Sequence, residues 1–466
     1  MGLCVYLHMQ KPSLPSGTRD FGPEVYQKRK SIMNEMEQIF KLHGFVGIET
    51  PAMENLSTLQ GKYGDEGDQL LFKILNSGEY LSKVKPESLN PINYADLTPQ
   101  IASRGLRYDL TVPLARFVVM NRSALSFPFK RFQMQPVWRA DRPQKGRYRE
   151  FWQCDVDIVG ANHLLSEAEL VEVYIDVFEA LDLGVEVKIN HRKVLDSFLP
   201  LAGSQDAWNS FMQAIDKYDK IGREGVSNEL EQRGLAHMDI AWGLWCDLAE
   251  IDNFQGIIDG LGTIEVLQNE HLQEGIEALK ELWTLIGEFP QVKLDLKLAR
   301  GLSYYTGCVF EVVPYDNRLP NDFKIGSIGG GGRYDNLTGI FGLKDVSGVG
   351  VSFGLDRIYD TLEIINEGTI QQEETGVIIC PMQSDAESVA FKIARELRRN
   401  NIKVEVYPGS VKLKKQLDYA NSTSKRYALI LGESELQNGT VAVKDLKNGS
   451  QEEVSQGSIL TFLQNA

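Results

Sequence analysis

One stretch constrains this chain more than any other. Between Phe129 and Gly160, two apolar-polar runs flank a long polar loop: Phe132, Met134 and Val137 lead in, and Phe151, Cys154, Val156, Ile158 and Val159 lead out. This spacing predicts two strands joined across residues 139–149. From Lys130 to Arg149 there are seven Lys or Arg residues and one acid, Asp141. Arginines that start and end on the strands themselves are costly unless they meet an anion, because a guanidinium against a sheet must be paired. Pro143 and Gly146 shape the loop, and guanidinium groups match phosphate in a fork. The segment therefore reads as an anion clamp carried on a hairpin.

Whole-chain charge points the other way. The 466 residues hold 49 basic and 64 acidic side chains, a net charge of −15, which on composition alone disfavours a phosphate-rich partner. The excess is uneven: residues 375–466 hold 12 bases against 10 acids, so the acidity belongs to the first 374 residues. Five scattered cysteines, with no CxxC and no metal-finger spacing, predict reduced thiols and a cytoplasmic protein. No apolar run is long enough to span a bilayer, and the N-terminus has neither a basic leader nor the Ser or Thr at position 6 that acylation requires.

The rest of the chain supplies a frame. Residues 12–23 read as an extended arm, with Asp20 and Pro23 as cap and first-turn proline of an amphipathic helix ending at Gly44. Phe45–Pro51 reads as a strand, 164–183 as a helix, and 185–189 as a strand. Residues 197–285 are acidic and helical in pattern, an inserted subdomain. Strand signals resume at 292–298 and 308–313, before a glycine-dense segment at 326–354. A polar linker at 366–375 leads to an alternating βαβ pattern, where Ser384 and Glu387 predict a capping box. These boundaries give a first domain of residues 10–196, resumed at 286–366 after the 197–285 insertion, and a C-terminal domain at 375–466. The chain lacks a P-loop, a GxSxG elbow, an HExxH motif and histidines at metal-ligand spacing, so nucleophilic-serine and zinc chemistry are poor fits.

The segment FKRFQMQPVWRADRPQKGRYREFWQCDVDIVG resembles motif 2 of the class II aminoacyl-tRNA synthetases, and of histidyl-tRNA synthetases in particular. Three further segments agree in order. Phe45–Pro51 resembles motif 1, LARGLSYYTG at 298–307 resembles the histidine-specific loop, and GVGVSFGLDR at 348–357 resembles motif 3. The resemblance implies an α+β catalytic domain built on an antiparallel sheet flanked by helices, a helical insertion, and a C-terminal α/β anticodon-binding domain. It also implies histidine–tRNA ligation with ATP and Mg2+, and partners that include histidine, tRNA and a second copy of the chain.

The resemblance assigns roles to individual residues. Arg139 matches the arginine holding the ATP α-phosphate and the amino-acid carboxylate, and Arg357 the one on the γ-phosphate side. Arg300 matches an arginine beside the α-phosphate. Phe151 takes the place of the residue on which adenine stacks, Asp141 lies by the adenine amino group, and Arg142 and Arg147 reach the triphosphate. Asp109, Thr111 and Gln153 match groups that bind the histidine amino group. Asp157 matches the carboxylate near the imidazole, with Tyr304 and Tyr305 closing the pocket; metal ligands are not assigned. Arg398, Arg399, Lys412, Lys414, Lys415 and Lys425 are candidate anticodon contacts. Ser303 departs from the acid common at that place in the family.

Read from the residues alone, Asp155 and Asp157 are i, i+2 on one strand face, and an acid flanked by Val and Ile is expensive unless paired. Gly329–Asp335 (GGGGRYD) fits a tight floor under a ligand, and His191 is read as structural. The competing expectation is a histidine-sensing regulatory subunit of ATP phosphoribosyltransferase. Such a subunit shares the fold but typically lacks the anticodon domain and has eroded ATP-binding arginines.

Overall fold

A computed structural model describes residues 11–62, 64–144, 146–215, 217–287, 289–299, 305–335, 338–366 and 376–465. The chain forms two compact units, divided between residues 368 and 369.

The first unit carries strands β1 (Val46–Gly47), β2 (Met53–Asn55), β3 (Lys73–Ile74), β4 (Arg104–Leu106), β5 (Phe129–Trp138), β6 (Glu150–Val159), β7 (Val185–His191), β8 (Val292–Leu294), β9 (Cys308–Pro314), β10 (Gly329–Arg333) and β11 (Gly348–Gly354). Eight form one sheet in the order β1-β5-β6-β11-β10-β9-β7-β8; β2, β4 and β3 form a small separate sheet. The expected antiparallel sheet is antiparallel through its interior, but β1 pairs parallel with β5 and β8 pairs parallel with β7. Parallel pairing at both edges follows from the connections: β1 and β8 each reach their neighbour through a long crossover instead of a hairpin.

The first helix, α1 (Pro23–Leu42), buries Ile32, Met36, Ile39 and Phe40. Gly22 occupies the cap position in place of Asp20, with no side-chain bond there, while Pro23 opens the first turn as expected. Gly44, at φ +78°, ends it. The motif 1 strand shrinks to two residues because Ile48 already leaves the ladder, its N–H still reaching Phe132 O at 3.0 Å.

Residues 192–286 form a series of helices joined by short turns, with no strand among the described residues. Their buried Trp208, Phe211, Trp242 and Trp245 belong to the same apolar cluster as Val156, Val187 and Phe310 of the sheet. Within this region the Phe198 ring lies 5.1 Å from Trp245, and the bond from Trp245 Nε1 to Leu296 O ties the region to the segment after β8.

The second unit orders its strands β13-β12-β14-β15-β16, with β12 (Val377–Pro381), β13 (Val404–Val406), β14 (Tyr427–Leu431), β15 (Thr440–Asp445) and β16 (Gln451–Ser455). Parallel pairing of β12 with β13 and β14 matches the βαβ reading. The Ser384–Glu387 capping box does not form. Gln383 is the cap, and the Glu387 carboxylate instead accepts from Ser410 Oγ at 2.7 Å. Among the described residues, no helix is long and apolar enough to cross a membrane.

Candidate active site

β5 and β6 pair residue for residue from Phe129–Val159 to Trp138–Glu150. Beyond Trp138 the loop folds back on itself: Arg139 N–H donates to Arg149 O at 3.0 Å, and Gln144 and Arg147 exchange a backbone bridge. Gly146 turns the chain at φ +72°, where a side chain would be strained and a Cβ would lie 3.2 Å from Ile325.

This hairpin forms one wall of a cavity of about 280 Å³. Arg139, Asp141, Arg147, Tyr148, Phe151 and Gln153 line it from the hairpin; Gly329 and Gly330 of β10, Ser352 of β11, and Asp356 and Arg357 of the following helix (Leu355–Ile365) line it from the other side. Arg139 Nε donates to Tyr108 O at 3.1 Å. Its guanidinium lies 4.2 Å from the Tyr108 ring centre and 5.2 Å from that of Phe151, contacts in which π-faces favour the cation. Arg357 Nε donates to Gly146 O (2.8 Å) and Nη1 to Ser327 O (2.6 Å), which ties the loop to the segment entering β10. Arg147 is half exposed, with its guanidinium 3.7 Å from Asp141.

Gln153 Nε2 donates to Ser352 Oγ at 3.0 Å, while its buried Oε1 has no hydrogen-bond partner among the described residues. A buried acceptor left unsatisfied is costly, and here it lies on the wall of the cavity. The floor behind it is ionic. Register sets Arg131 opposite Asp157 and Gln133 opposite Asp155. Arg131, fully buried, pairs with Asp157 Oδ2 at 2.7 Å, and Tyr334 donates its hydroxyl proton to Asp157 Oδ1. Burial pushes the Asp155 carboxyl up to about 7 against the pull of Arg131, and Asp157 beside it adds to the rise. Asp157 itself is raised, again chiefly by burial. Only glycine fits above this pair, since a Cβ at position 350 would lie 1.9 Å from Asp157 Oδ1.

Six of the expected residues therefore converge on one cavity: Arg139, Asp141, Arg147, Phe151, Gln153 and Arg357. Five others do not line it. Asp109 is buried, with Oδ1 accepting from Val112 N–H at the start of the helix Thr111–Met120, and Thr111 is that helix's first residue. Asp157 sits beneath the floor, and Tyr305 packs 2.9 Å from where a Cβ on Gly332 would be. Arg142 points outward on the exposed side of the loop. Arg300, Ser303 and Tyr304 lie outside the described residues.

Arg107, next to Asp109, is a buried peg. It donates to Pro136 O, Thr50 O and Gln135 Oε1, and burial lowers its pKa to about 10. His191 is structural as expected: Nδ1 accepts from Lys193 N–H to cap a short helix, and burial pushes its pKa down to about 4. In GGGGRYD Gly329 and Gly330 reach the cavity, whereas Arg333 turns away to a buried pair with Glu167.

Sequence reasoning missed Arg131, Tyr148, Tyr334, Ser352 and Asp356. Asp356 had a readable signal, a charged residue inside the apolar run ending motif 3. Arg131 carried the signal of a strand-borne guanidinium that needs a partner, but register alone sets which partner, and Tyr334 had no local signal.

In the second unit, Arg399, Lys412, Lys414 and Lys415 are exposed, the lysines at the start of the helix Leu413–Ser422. Arg398 is engaged with Val404 O, and Lys425 pairs with Glu405 at 3.0 Å.

A mixed sheet with arginines gathered over a glycine floor, joined in sequence to a five-stranded α/β unit, defines a class II aminoacyl-tRNA synthetase. Residues 81–358 match the model of the family described as histidyl-tRNA synthetase, and residues 376–466 that of the anticodon binding domain. The chain is 49% identical to the histidine–tRNA ligase of Christiangramia forsetii, over 95% of this chain and 97% of that protein. It is 47% identical to that of Cytophaga hutchinsonii, over 96% and 98%. The crystal structure of histidyl-tRNA synthetase from Nostoc sp. PCC 7120 superposes with a TM-score of 0.75 at 29% identity, covering 97% of this chain and 99% of that one. The chain belongs to the histidyl-tRNA synthetase family.

Proposed function

We infer that the chain is a histidine–tRNA ligase, activating L-histidine with ATP to histidyl-adenylate and pyrophosphate and then transferring histidine to the 3′ end of its tRNA. The observation that carries this reading is the convergence of Arg139, Phe151, Gln153 and Arg357 on one cavity. The histidine carboxylate attacks the α-phosphate, pyrophosphate leaves, and a terminal tRNA hydroxyl then displaces AMP, so no protein nucleophile is required. Negative charge gathers on the α-phosphate in the transition state. Preorganised guanidinium groups stabilise it without the reorganisation that water would need.

Arg139, held at Nε by Tyr108, contacts the α-phosphate and the histidine carboxylate, with Arg300 beside it. Adenine stacks on Phe151 with its amino group toward Asp141; Arg147, Arg142 and Arg357 hold the outer phosphates. Gln153 Oε1 accepts from the histidine amino group, on the side of Asp109 and Thr111. Tyr304 and Tyr305 close over the imidazole. Asp157, already engaged by Arg131 and Tyr334, supplies buried charge from beneath.

Mg2+ accompanies ATP as its phosphate-bound counter-ion. Among the described residues, no group of three His, Cys, Asp or Glu side chains is assembled to hold a metal, and no step is assigned to a protein-held ion. The exposed lysines 412, 414 and 415 with Arg399 serve anticodon binding in the second unit. A homodimer is supported by the apolar exposure around motif 1, where Leu42 is 85% and Val46 53% exposed. A cytoplasmic location fits the scattered cysteines, four of which are described as free and buried. The regulatory-subunit alternative is disfavoured by the anticodon-domain match and by Arg139 and Arg357 lying at the cavity.

Histidine-dependent exchange of pyrophosphate into ATP tests this reading. Exchange that requires histidine and is not supported by other amino acids is expected, followed by charging of histidine tRNA; no exchange above background would overturn it.

A further inference from the structure

The arm before α1 is not a passive leader. Gly17 O accepts from Arg149 N–H at 2.8 Å and Ser16 O from Arg149 Nη1 at 3.4 Å, while Arg149 Nε donates across the loop to Asp141 O at 3.0 Å. The arm therefore backs the 139–149 loop from outside. Two residues on, the Arg19 guanidinium lies flat on the Tyr148 ring, 3.3 Å from its centre, and donates to Asp356 Oδ1. Tyr148 also hydrogen-bonds Asp360 at 3.2 Å. Both Tyr148 and Asp356 line the cavity.

We propose that Arg19 is a positioning residue of the ATP site, holding the 139–149 loop against the cavity through Tyr148. The inference rests on the reading of that cavity as the ATP pocket. Arg19 is not required to neutralise Asp356. Buried Arg29 pairs with the same oxygen at 2.7 Å, and Trp152 N–H donates to Oδ2 at 2.8 Å. Removing Arg19 leaves the carboxylate satisfied and the helix packing intact. What it removes is the cation over Tyr148, leaving the arm joined to the loop only through the bonds from Arg149 to Gly17 O and Ser16 O. The cost falls on ATP capture, because the loop then spends part of its time away from the cavity, and affinity declines with the fraction of chains that are competent to bind.

The test is pyrophosphate-exchange kinetics with ATP and histidine varied separately. Arg19→Ala raises the KM for ATP about tenfold, the size of one well-placed cation–π contact. The KM for histidine and kcat change less than about twofold, because only ATP capture depends on loop occupancy. Tyr148→Leu, which also loses the Asp360 bond, raises the ATP KM at least as far, and the double variant Arg19→Ala/Tyr148→Leu is no worse than Tyr148→Leu alone, since Arg19 acts through Tyr148. A general structural role would lower thermal stability and kcat together, as Arg29→Ala is expected to do. Additive effects in the double variant, or a fall in kcat at unchanged ATP KM, would overturn the proposal. Arg357→Ala separates it from the underlying reading. If Arg357→Ala raises the ATP KM and Arg19→Ala does not, only the role of Arg19 fails. If neither variant moves it, the ATP pocket itself is misassigned.

Discussion

The two units solve opposite problems. In the second, the buried side chains are almost all aliphatic: Ile379, Leu397, Leu429, Leu431 and Val441 pack the sheet against its helices, and among the described residues its buried polar ones are Gln416 and Asp445. Its basic residues stay on the surface. The first unit buries Arg29, Arg107, Arg131, Asp155, Asp157, Glu167, Arg333 and Asp356. Burying charge is expensive, and a hydrophobic replacement of the same shape is often as stable or more so. A surface that binds RNA by salt-sensitive contacts needs no such expense. A pocket that must fix a small amino acid and a triphosphate needs groups that cannot reorient, and buried pairs provide them.

The sharpest way to break this contrast is to remove one buried charge. Arg131→Leu leaves Asp155 and Asp157 facing apolar surroundings with no counter-charge. It should cost about 3–5 kcal/mol of stability, read as a lowered urea midpoint, with exchange activity lost alongside. If Arg131→Leu unfolds at the wild-type midpoint, the ionic floor is dispensable and the contrast fails. In the second unit, Leu429→Ala removes a fully buried side chain from a purely apolar core and should cost about 2–5 kcal/mol there. Since the two units have separate cores, this loss should reduce tRNA charging while histidine-dependent exchange persists. Equal loss of both activities would show that the units are not energetically independent.

The same contrast explains what could be read in advance. The second unit announces itself through short unbroken apolar runs, as at Val377–Cys380 and Ala428–Leu431, because its central strands are buried on both faces. Its last strand, Gln451–Ser455, could not be read this way. As an exposed edge of polar residues it carries no apolar run, and backbone pairing with β15 alone defines it. In the first unit the hairpin and its arginines were legible, since strand-borne guanidinium groups demand a partner. That partner was not. Arg131 meets Asp157 only because register sets residue 131 opposite 157, and Tyr334 reaches the same carboxylate from a segment 177 residues further on. Likewise Gly22 and not Asp20 holds the cap position, in a segment where Arg19 is drawn to Asp356 and Phe21 packs under Arg29 of the helix. Local chemistry predicts which residues need company, and long-range pairing decides whose.

The smallest expected effect lies in the pH dependence of stability, where two buried groups of the first unit oppose each other. Asp155, raised to about 7, keeps its proton in the folded state where the unfolded chain has already lost it. The folded state then binds more protons, and this group's contribution falls as pH rises from about 4 to about 7. His191, lowered to about 4, stays neutral when folded where the unfolded chain is already charged. Its contribution is present above the ordinary histidine range and is lost as pH falls from about 6.5 toward 4. Across their shared window the slopes have opposite sign, so wild-type stability should be nearly flat between pH 5 and 6.5. Asp155→Asn deletes one of the two and should make stability rise with pH over that window, read from urea midpoints at half-unit steps. A variant profile as flat as the wild type would mean that the Asp155 proton is not held by the fold. The carboxylate would then be kept charged by Arg131 alone, and the floor of the pocket would carry one more negative charge at neutral pH.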